Sequence, residues 1–324
     1  MILITGSAGY IGSEICKKLD ELEIDYVGID NLKYSNKNNI YDKKKFIKTC
    51  ISNKSTINKI LRKKKIQTVI HCAAYAYVLD AESKKKYYIE NNVIKTKKFI
   101  NYTIENQIDN FIFLSSSNIY SENDKLSIFK ETDIKKPKNL YGKTKLYIEN
   151  FLINKKNKYK NITILRLFNI IGLTKEFTPL NKNNFKYQRF LFKIFYQIKN
   201  NKPINLKFFK NKNSDKKKFP ERDFLDIRDL VDLIGLISKK TNIKKSLNIY
   251  NVGRGKSQSL KEIIKYIKLY SKKKKLIINY SKLHEKEYFF TKSSIKKIKK
   301  KFSWSPKISI KKSILSYYKY LLIK

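Results

Sequence analysis

The sequence predicts an α/β fold in which a doubly wound parallel sheet carries helices on both faces. Short apolar runs alternate with amphipathic stretches of helical length through the first half of the chain, and this alternation is typical of such a sheet. A glycine-rich loop follows the first apolar run, and serines close the fifth, as expected at the edge where strands of an open sheet end. The 324 residues are 41% apolar and 13% aromatic, which is ample material for one large unit or two coupled domains.

The first half alternates predicted strands with predicted helices. The strands are expected at Met1–Thr5, Ile24–Asp30, Lys45–Thr49, Gln67–His71, Asn110–Ser115 and Ile162–Phe168. The helices are expected at Ile11–Leu22, Ser55–Lys64, Lys85–Asn106 and Gly142–Lys156. Crossovers of this length favour parallel strands.

The pattern loosens after about residue 172, which predicts a smaller C-terminal α/β domain. Its elements are expected at Tyr187–Asn200, Phe224–Ser238, Leu247–Val252, Leu260–Ser271 and Ile310–Leu322. We predict a cofactor domain over residues 1–171 that also receives about 224–252, and an interleaved substrate domain over 172–324.

The charge is extreme, with 73 Lys and Arg against 27 Asp and Glu and a formal net charge of +46. Such an excess of basic residues suggests nucleic acid as a partner, because basic side chains gain affinity by releasing counterions from phosphates. Yet 67 of these residues are lysines and six are arginines, the residue whose planar fork suits phosphate and base contacts. We interpret the charge mainly as a composition bias without a specific nucleic-acid partner; nonspecific polyanion affinity is the alternative.

The cysteines and the start of the chain predict a cytoplasmic protein. Cys16, Cys50 and Cys72 are an odd number without metal-ligand spacing, which favours a reducing compartment and predicts no metal site. The first residues run directly into a strand and a glycine loop, which leaves no room for a signal peptide. No apolar stretch approaches the roughly 20 residues that span a bilayer, so no membrane partner is expected.

A glycine loop of sequence GSAGYIG occupies residues 6–12, between the first strand and the first helix. Gly6 allows the tight turn, Gly9 lets the backbone approach a pyrophosphate, and Gly12 permits close packing of helix on strand. The amides of the helix N-terminus form an anion site. The loop therefore predicts a Rossmann-type nucleotide site; a purely structural turn is the alternative.

Asp30 closes the second predicted strand, 18 residues after Gly12. A carboxylate there accepts hydrogen bonds from the hydroxyls of the adenosine ribose and repels a 2′-phosphate. The position predicts NAD rather than NADP; a solvated turn aspartate is the alternative.

A serine, a tyrosine and a lysine follow in an order that suits redox chemistry on a hydroxyl. Ser115, Ser116 and Ser117 close the fifth strand, and Tyr141 and Lys145 lie four residues apart on one face of a predicted helix. A free phenol has a pKa of about 10. A positive charge about 5 Å away lowers that pKa by about 2, so Tyr141 becomes a candidate base. The alternative is that Tyr141 and Lys145 are ordinary residues on the surface of a helix.

These features, in this order, resemble the extended short-chain dehydrogenase/reductase family, and within it the UDP-hexose 4-epimerases. The resemblance covers essentially the whole chain, including a long spacer from Phe209 to Arg222. Further matching segments are residues 30–32, 71–78, 88–93, 165–169, 222–224, 250–253 and 302–306.

The resemblance implies an isomerase that interconverts UDP-glucose and UDP-galactose through a 4-keto intermediate, with NAD as a regenerated cofactor. Tyr141 would take the proton from the sugar 4-hydroxyl while NAD accepts hydride from carbon 4. Lys145 would bind the nicotinamide ribose, and Ser116 matches the catalytic serine, with Ser117 as second choice. The implied cofactor-binding residues are Gly6, Gly9, Tyr10, Ile11, Gly12, Asp30, Asn31, Ala73, Asn91, Ser115, Tyr141, Lys145 and Phe168.

The implied substrate-binding residues are Ser116, Ser117, Tyr141, Asn169 and Arg222. Asn169 matches a residue that contacts the UDP-sugar, and Arg222 matches an arginine on the diphosphate, a role that suits its two-pronged side chain. A domain-bridging salt bridge is the alternative for Arg222. Tyr75 is a weaker pocket candidate.

Some positions depart from the family pattern. Cys50 stands where an aspartate usually contacts adenine, which predicts weaker NAD binding. The second diphosphate arginine, expected near Leu283–Glu287, is missing. Arg189 and Phe190 stand where an asparagine is usual.

Other members of the family give the rival functions. Dehydratases carry an Asp-Glu pair after the catalytic serine, whereas this chain has Ser117 and Asn118, so epimerisation is favoured. A UDP-N-acetylglucosamine 4-epimerase or a UDP-glucuronate decarboxylase is the enzyme alternative, and a catalytically silent polyanion-binding fold is the alternative from a different class. The resemblance also implies a homodimer through the helices near Lys85–Asn106 and Gly142–Lys156.

Overall fold

In the first half of the chain, strands and helices alternate in nearly the order that the sequence predicts. The protein is described by a computed structural model over residues 1–122, 128–175, 177, 189–210, 217–240, 245–270 and 276–322. The strands are β1 (Ile2–Thr5), β2 (Tyr26–Asp30), β3 (Phe46–Lys48), β4 (Thr68–His71), β5 (Asn110–Ser116), β6 (Asn161–Leu167), β7 (Asn169–Ile171), β8 (Ile204–Lys210), β9 (Lys217–Lys218), β10 (Glu221–Asp226), β11 (Ser246–Val252), β12 (Ser257–Ser259) and β13 (Ile278–Lys282). The α-helices are α1 (Tyr10–Glu21), α2 (Lys54–Lys63), α3 (Val78–Ser83), α4 (Lys85–Ile89), α5 (Thr96–Glu105), α6 (Leu140–Asn154), α7 (Phe190–Lys199), α8 (Ile227–Lys239), α9 (Leu260–Tyr270), α10 (Lys296–Phe302) and α11 (Ile310–Tyr317).

Within the described residues, seven parallel strands form the main sheet in the order β11-β6-β5-β4-β1-β2-β3. The chain adds β2 and β3 on one side of β1 and then crosses to add β4, β5 and β6 on the other. Such a reversal opens a crevice beyond the carboxyl ends of the strands. The predicted doubly wound, Rossmann-type fold is confirmed.

Two apolar clusters cover the two faces of the main sheet. Ile4 of β1 packs into the cluster that contains α1 and α8. Its neighbour Leu3 packs into the opposite cluster, which contains α2, α5 and α6. This alternation follows from the two-residue repeat of a strand, and it explains why Ile2, Leu3 and Ile4 are all apolar.

The helix predicted over Lys85–Asn106 is not continuous, because a π-helical turn at Glu90–Lys95 separates α4 from α5. The Thr96 hydroxyl donates to the Asn91 carbonyl oxygen at 3.2 Å, and both Asn91 and Asn92 are buried at this turn. Single π turns often occur at functional sites. Here the wider turn lies beside the crevice.

The second half forms smaller sheets that pack against the main one. Within the described residues their strand orders are β12-β10-β7 and β13-β8-β9, and a third apolar cluster joins α7, α9 and α11. The predicted helix Tyr187–Asn200 begins outside the described residues, as does part of the spacer Phe209–Arg222. The limits 1–171, 224–252 and 172–324 stay a prediction, although β11 joins the main sheet through β6.

None of the helices in the described part of the chain is long and apolar enough to cross a membrane.

Candidate functional site

A cleft opens beyond the carboxyl ends of β1 and β4, where the strand order of the main sheet reverses. It holds about 610 Å³ of space, part of it open to solvent. Its wall includes residues predicted to bind the cofactor, namely Gly6, Gly9, Asp30, Asn31, Ala73 and Asn91. Other side chains in this wall come from Tyr34, Ser35, Thr49, Cys50, Ile51, Cys72 and Tyr75.

The glycine loop brings the start of α1 to the edge of this cleft. Gly6 has a φ of +70°, and a Cβ there would lie 2.9 Å from the Ala73 backbone. A Cβ on Gly12 would lie 2.1 Å from the Gly6 carbonyl oxygen, so neither position accepts a larger residue. The first amides of α1 have no partner within the helix. The loop therefore fits the pyrophosphate of a dinucleotide.

Asp30 lies at the end of β2 and already holds the loop in place. Its Oδ2 accepts a hydrogen bond from the Ala8 amide at 3.2 Å. Its Oδ1 accepts one from the Leu32 amide at 2.8 Å and one from the Ser35 hydroxyl at 2.7 Å. A ribose hydroxyl would take the same kind of bond as the Ser35 hydroxyl, so the carboxylate fits an adenosine ribose.

Cys50 lies in the cleft wall between Thr49 and Ile51. Its Sγ is 3.2 Å from the Ser52 hydroxyl. A thiol is a weak hydrogen-bond partner, whereas the aspartate expected there is a strong acceptor. This part of the wall thus offers an adenine little polar recognition from residue 50.

Asn92 fixes the wall that faces the glycine loop. Its Oδ1 accepts from the Tyr75 amide at 2.8 Å, and its Nδ2 donates to the Tyr75 carbonyl oxygen at 2.9 Å. The Tyr75 ring makes an edge contact with Tyr34, at 4.4 Å between ring centroids. Sequence reasoning missed Tyr34 and Ser35, because neither belongs to a recognisable motif.

Helix α6 begins against the segment that follows β5, and this packing positions Tyr141. The Asn139 side chain caps the helix by accepting from the Gly142 amide at 2.8 Å. A Cβ on Gly142 would lie 2.1 Å from the Asn118 carbonyl oxygen. The absence of a side chain at residue 142 therefore lets α6 approach the strand that carries the serines.

Ser116, at the end of β5, acts on the buried Tyr141 phenol and lowers its pKa. Ser116 Oγ accepts from the Asn118 amide at 3.2 Å and from Asn118 Nδ2 at 3.1 Å, so the serine keeps its own proton to donate. Burial raises the pKa of Tyr141, while the Ser116 hydrogen bond and the charge of Arg189 lower it. The arrangement can stabilise a phenolate.

Lys145 lies one turn beyond Tyr141, with its Nζ 6.0 Å from the Tyr141 ring centroid. Nζ donates to the Leu114 carbonyl oxygen at 2.7 Å. Burial lowers the pKa of Lys145 to about 8, against the opposing influence of Cys72 and Glu149. Ser116 and Arg189 lower the pKa of Tyr141, and the same role for Lys145 stays a prediction.

A buried ion pair lies directly behind the serines. Glu149 accepts from Arg166 Nη2 at 2.8 Å, and both side chains are 1% exposed. Glu149 also accepts a hydrogen bond from the Ser115 hydroxyl. Ser115, predicted to bind the cofactor, therefore directs its hydroxyl into this network.

Arg222 and Asn169, the predicted substrate residues, lie on neighbouring strands β10 and β7. Arg222 Nη1 donates to the carbonyl oxygens of Glu221 and Phe289 at 2.9 and 2.8 Å. Burial lowers the pKa of Arg222 to about 10, although Glu287 and Glu122 oppose the shift. Among the described residues no carboxylate forms a salt bridge with Arg222, so the predicted alternative of a bridging salt bridge is not observed.

The remaining predicted residues have mainly structural contacts. The Tyr10 hydroxyl donates to the Gly172 carbonyl oxygen at 2.6 Å, and Ile11 packs partly buried against the main core. Phe168 is buried in a cluster with Ile119, Tyr120 and Phe129. Ser117 is buried at the turn after β5. Any cofactor contact from Tyr10 or Ile11 would therefore come from the backbone at the start of α1.

The fold and the cleft define a dinucleotide-binding α/β protein with a buried tyrosine beside a strand-end serine. The model of the NAD dependent epimerase/dehydratase family matches residues 2–253, and the chain belongs to this family.

Several named epimerases are similar to this chain over most of its length. A putative UDP-glucose 4-epimerase of Methanocaldococcus jannaschii is 31% identical over 321 residues, covering 97% of this chain and 96% of the relative. UDP-arabinose 4-epimerase 1 of Arabidopsis thaliana is 28% identical over 321 residues, covering 94% and 75%. A crystal structure of a UDP-glucose 4-epimerase, 26% identical, superposes with a TM-score of 0.87 over 98% of this chain and 96% of that chain.

Proposed function

We propose that this protein is an NAD-dependent epimerase that inverts carbon 4 of a UDP-hexose and so interconverts UDP-glucose and UDP-galactose. The observation that carries the proposal is the buried Tyr141 phenol, whose pKa is lowered by Ser116 at the carboxyl end of β5. Membership of the family and the names of the relatives support the same activity.

Tyr141 exchanges the proton of the sugar 4-hydroxyl in this proposal. NAD, when bound, supplies the acceptor and donor of the hydride at carbon 4. Tyr141 accepts the hydroxyl proton as the 4-keto sugar forms and returns it after the sugar has presented its other face. Ser116 donates a hydrogen bond to the phenolate, which lowers the cost of the charged state in a buried site.

Lys145 and the glycine loop hold the cofactor. Lys145 Nζ keeps hydrogen atoms beyond the one given to Leu114, and these can bind a ribose hydroxyl. Asp30 binds the adenosine ribose. The other proposed cofactor residues are Gly6, Gly9, Tyr10, Ile11, Gly12, Asn31, Ala73, Asn91, Ser115, Tyr141 and Phe168.

Arg222, Asn169 and Ser117 bind the nucleotide sugar. Arg222 lacks a carboxylate partner in the described part of the chain, and its guanidinium suits a diphosphate. Asn169 is exposed at the start of β7 and can reach the same ligand.

Conversion of UDP-galactose to UDP-glucose by the purified protein with NAD tests this function. We expect turnover by the wild type and at least a hundredfold loss in Tyr141→Phe. Tyr147→Phe is the matched control, because Tyr147 lies on the same helix but is 47% exposed. Absence of turnover in the wild type would refute the activity, and full activity of Tyr141→Phe would refute the mechanism.

An assay of several UDP-sugars tests which sugar the enzyme prefers. The named relatives include a UDP-arabinose 4-epimerase, and the sequence also leaves UDP-N-acetylglucosamine epimerisation and UDP-glucuronate decarboxylation as alternatives. We expect the highest kcat/KM with UDP-glucose and UDP-galactose. A higher kcat/KM with another UDP-sugar in the same assay would reassign the substrate.

A catalytically silent polyanion-binding protein is the rival from a different class, favoured only by the net charge of +46. It predicts tight RNA binding whose affinity falls steeply with salt and is unaffected by Tyr141→Phe.

We further propose a homodimer in a reducing, cytoplasmic compartment. Large apolar side chains are exposed along the face formed by α4, the π turn and α6, namely Tyr87, Ile89, Ile94 and Tyr147. A second copy of this face would cover them. Cys16, Cys50 and Cys72 are free thiols, as a reducing compartment requires.

A further inference from the structure

Arg189 directs a positive charge into the region between the glycine loop and α7. It is the residue immediately before α7, and its guanidinium carbon lies 4.4 Å from the centroid of the Tyr10 ring. Tyr10 is the first residue of α1 and is held by its hydrogen bond to Gly172. Stacking on an anchored aromatic ring restricts the guanidinium, so the charge is held at this place.

Arg189 has no carboxylate partner among the residues that the structure describes. Two other arginines are paired with carboxylates, Arg166 with Glu149 and Arg228 with Asp226, whereas Arg222 and Arg189 form no such pair within the described residues. A half-buried arginine without such a partner leaves the donors of its fork available for an anion.

The charge of Arg189 reaches the proposed proton-transfer site. Burial raises the pKa of Tyr141, and Arg189 is one of the two groups that lower it. Arg189 therefore lies close enough to Tyr141 to act on it electrostatically.

The lysines near Arg222 are already neutralised. Lys138 forms a salt bridge with Glu122, and Lys207 forms one with Glu287, the two carboxylates that act on Arg222. Arg222 Nη1 already donates hydrogen bonds to two backbone carbonyl oxygens. A diphosphate has more negative charge and more acceptor oxygens than the remaining N–H groups of Arg222 can neutralise and bind.

We propose that Arg189 binds the diphosphate of the nucleotide sugar together with Arg222. The inference rests on the proposed function, because it requires a UDP-sugar bound beside Tyr141. Arg189 acts as a specificity residue: it favours ligands with two phosphates over a nucleoside and supplies the second arginine that segment 283–287 lacks.

Binding of UDP and of uridine to the NAD-loaded protein, measured by calorimetry, tests this role. We expect Arg189→Met to weaken UDP binding at least tenfold and to leave uridine binding unchanged. Arg189→Lys, which keeps the charge but not the fork, should fall between Arg189→Met and the wild type. Lys202→Met is the control for net charge, because Lys202 is exposed beyond the end of α7.

Each outcome has a distinct meaning. Equal UDP affinity of Arg189→Met and the wild type would overturn the role of Arg189 and leave the proposed function standing. An equal loss for UDP and uridine would also overturn it, because the residue would then shape the pocket rather than bind phosphate. A wild type that binds neither UDP nor a UDP-sugar would refute the proposed function itself.

Discussion

Ser116 lowers the pKa of the Tyr141 phenol, which burial otherwise raises. The amide and the side-chain Nδ2 of Asn118 both donate to Ser116 Oγ, so the serine keeps its own proton to donate. Ser116 closes β5, and Tyr141 lies in the first turn of α6.

Removal of this donor should slow proton transfer. We expect Ser116→Ala to reduce kcat by about tenfold to a hundredfold, since a hydrogen bond to a charged group contributes about 1.5–3 kcal/mol. The acid limb of the pH profile should move to higher pH, because the pKa of Tyr141 rises without Ser116. Steady-state kinetics from pH 6 to 10 measures both effects. A loss of the same size in Ser117→Ala would contradict the assignment to Ser116.

The ion pair of Glu149 and Arg166 predicts an asymmetric response to mutation. Glu149→Gln leaves the buried Arg166 charge unpaired and should lower the free energy of unfolding by about 3–5 kcal/mol. The double variant Glu149→Met with Arg166→Met removes both charges and should lose less. Urea denaturation of the single and double variants provides the comparison; a double variant no more stable than Glu149→Gln would argue against the unpaired charge as the cause.

His71 makes the fold sensitive to acid. Burial lowers the pKa of His71 to about 3, with a smaller contribution from Lys145. The unfolded chain binds a proton below about pH 6.5, whereas the folded chain does so only near pH 3. The stability due to neutral His71 is therefore present above pH 6.5 and is lost by about 1.4 kcal/mol per pH unit as the pH falls through this window. Denaturation of the wild type and His71→Gln at pH 7, 6 and 5 should show a shallower decline in the variant; parallel declines would exclude His71 as the source.

Cys50 limits the affinity for NAD if the adenine lies against β3 and Ile51. We expect Cys50→Asp to tighten NAD binding by about tenfold, because a carboxylate makes a charge-assisted hydrogen bond worth about 1.5–3 kcal/mol before its desolvation cost. Cys50→Ser is the control for removal of the thiol. Fluorescence titration with NAD measures the dissociation constants, and an unchanged or weaker affinity of Cys50→Asp would show that residue 50 does not contact the adenine.

The proposed dimer depends on the exposed face of α4 and α6. We expect the wild type to sediment as a dimer at micromolar concentration and Tyr147→Glu to sediment as a monomer, because a charge buried in an apolar interface is costly. Tyr280→Glu is the control, since Tyr280 is similarly exposed, at 48%, but lies on β13. A monomeric wild type would remove the proposal.

Local patterns in the sequence were sufficient for the parallel sheet and the nucleotide loop. The spacing of Gly6, Gly9 and Gly12 identifies the loop, and the close approach of Gly12 to the Gly6 carbonyl oxygen is a local contact. The approach of Gly6 to the Ala73 backbone joins distant segments. The unbroken apolar run of residues 2–4 is typical of a strand that is buried on both faces, and it is likewise a local pattern.

The electrostatics of the site was decided by the tertiary structure. Tyr141 and Lys145 are neighbours on one helix, yet the groups that lower the pKa of Tyr141 come from β5 and from the start of α7. Arg189 is 48 residues from Tyr141 in the sequence, and Glu149 meets Arg166 only because α6 packs on β6. The sequence by itself predicted which residues would carry the chemistry and determined on which elements they lie. Which charges act on them depends on distances between distant segments, because electrostatic interactions fall with separation in space and not along the chain.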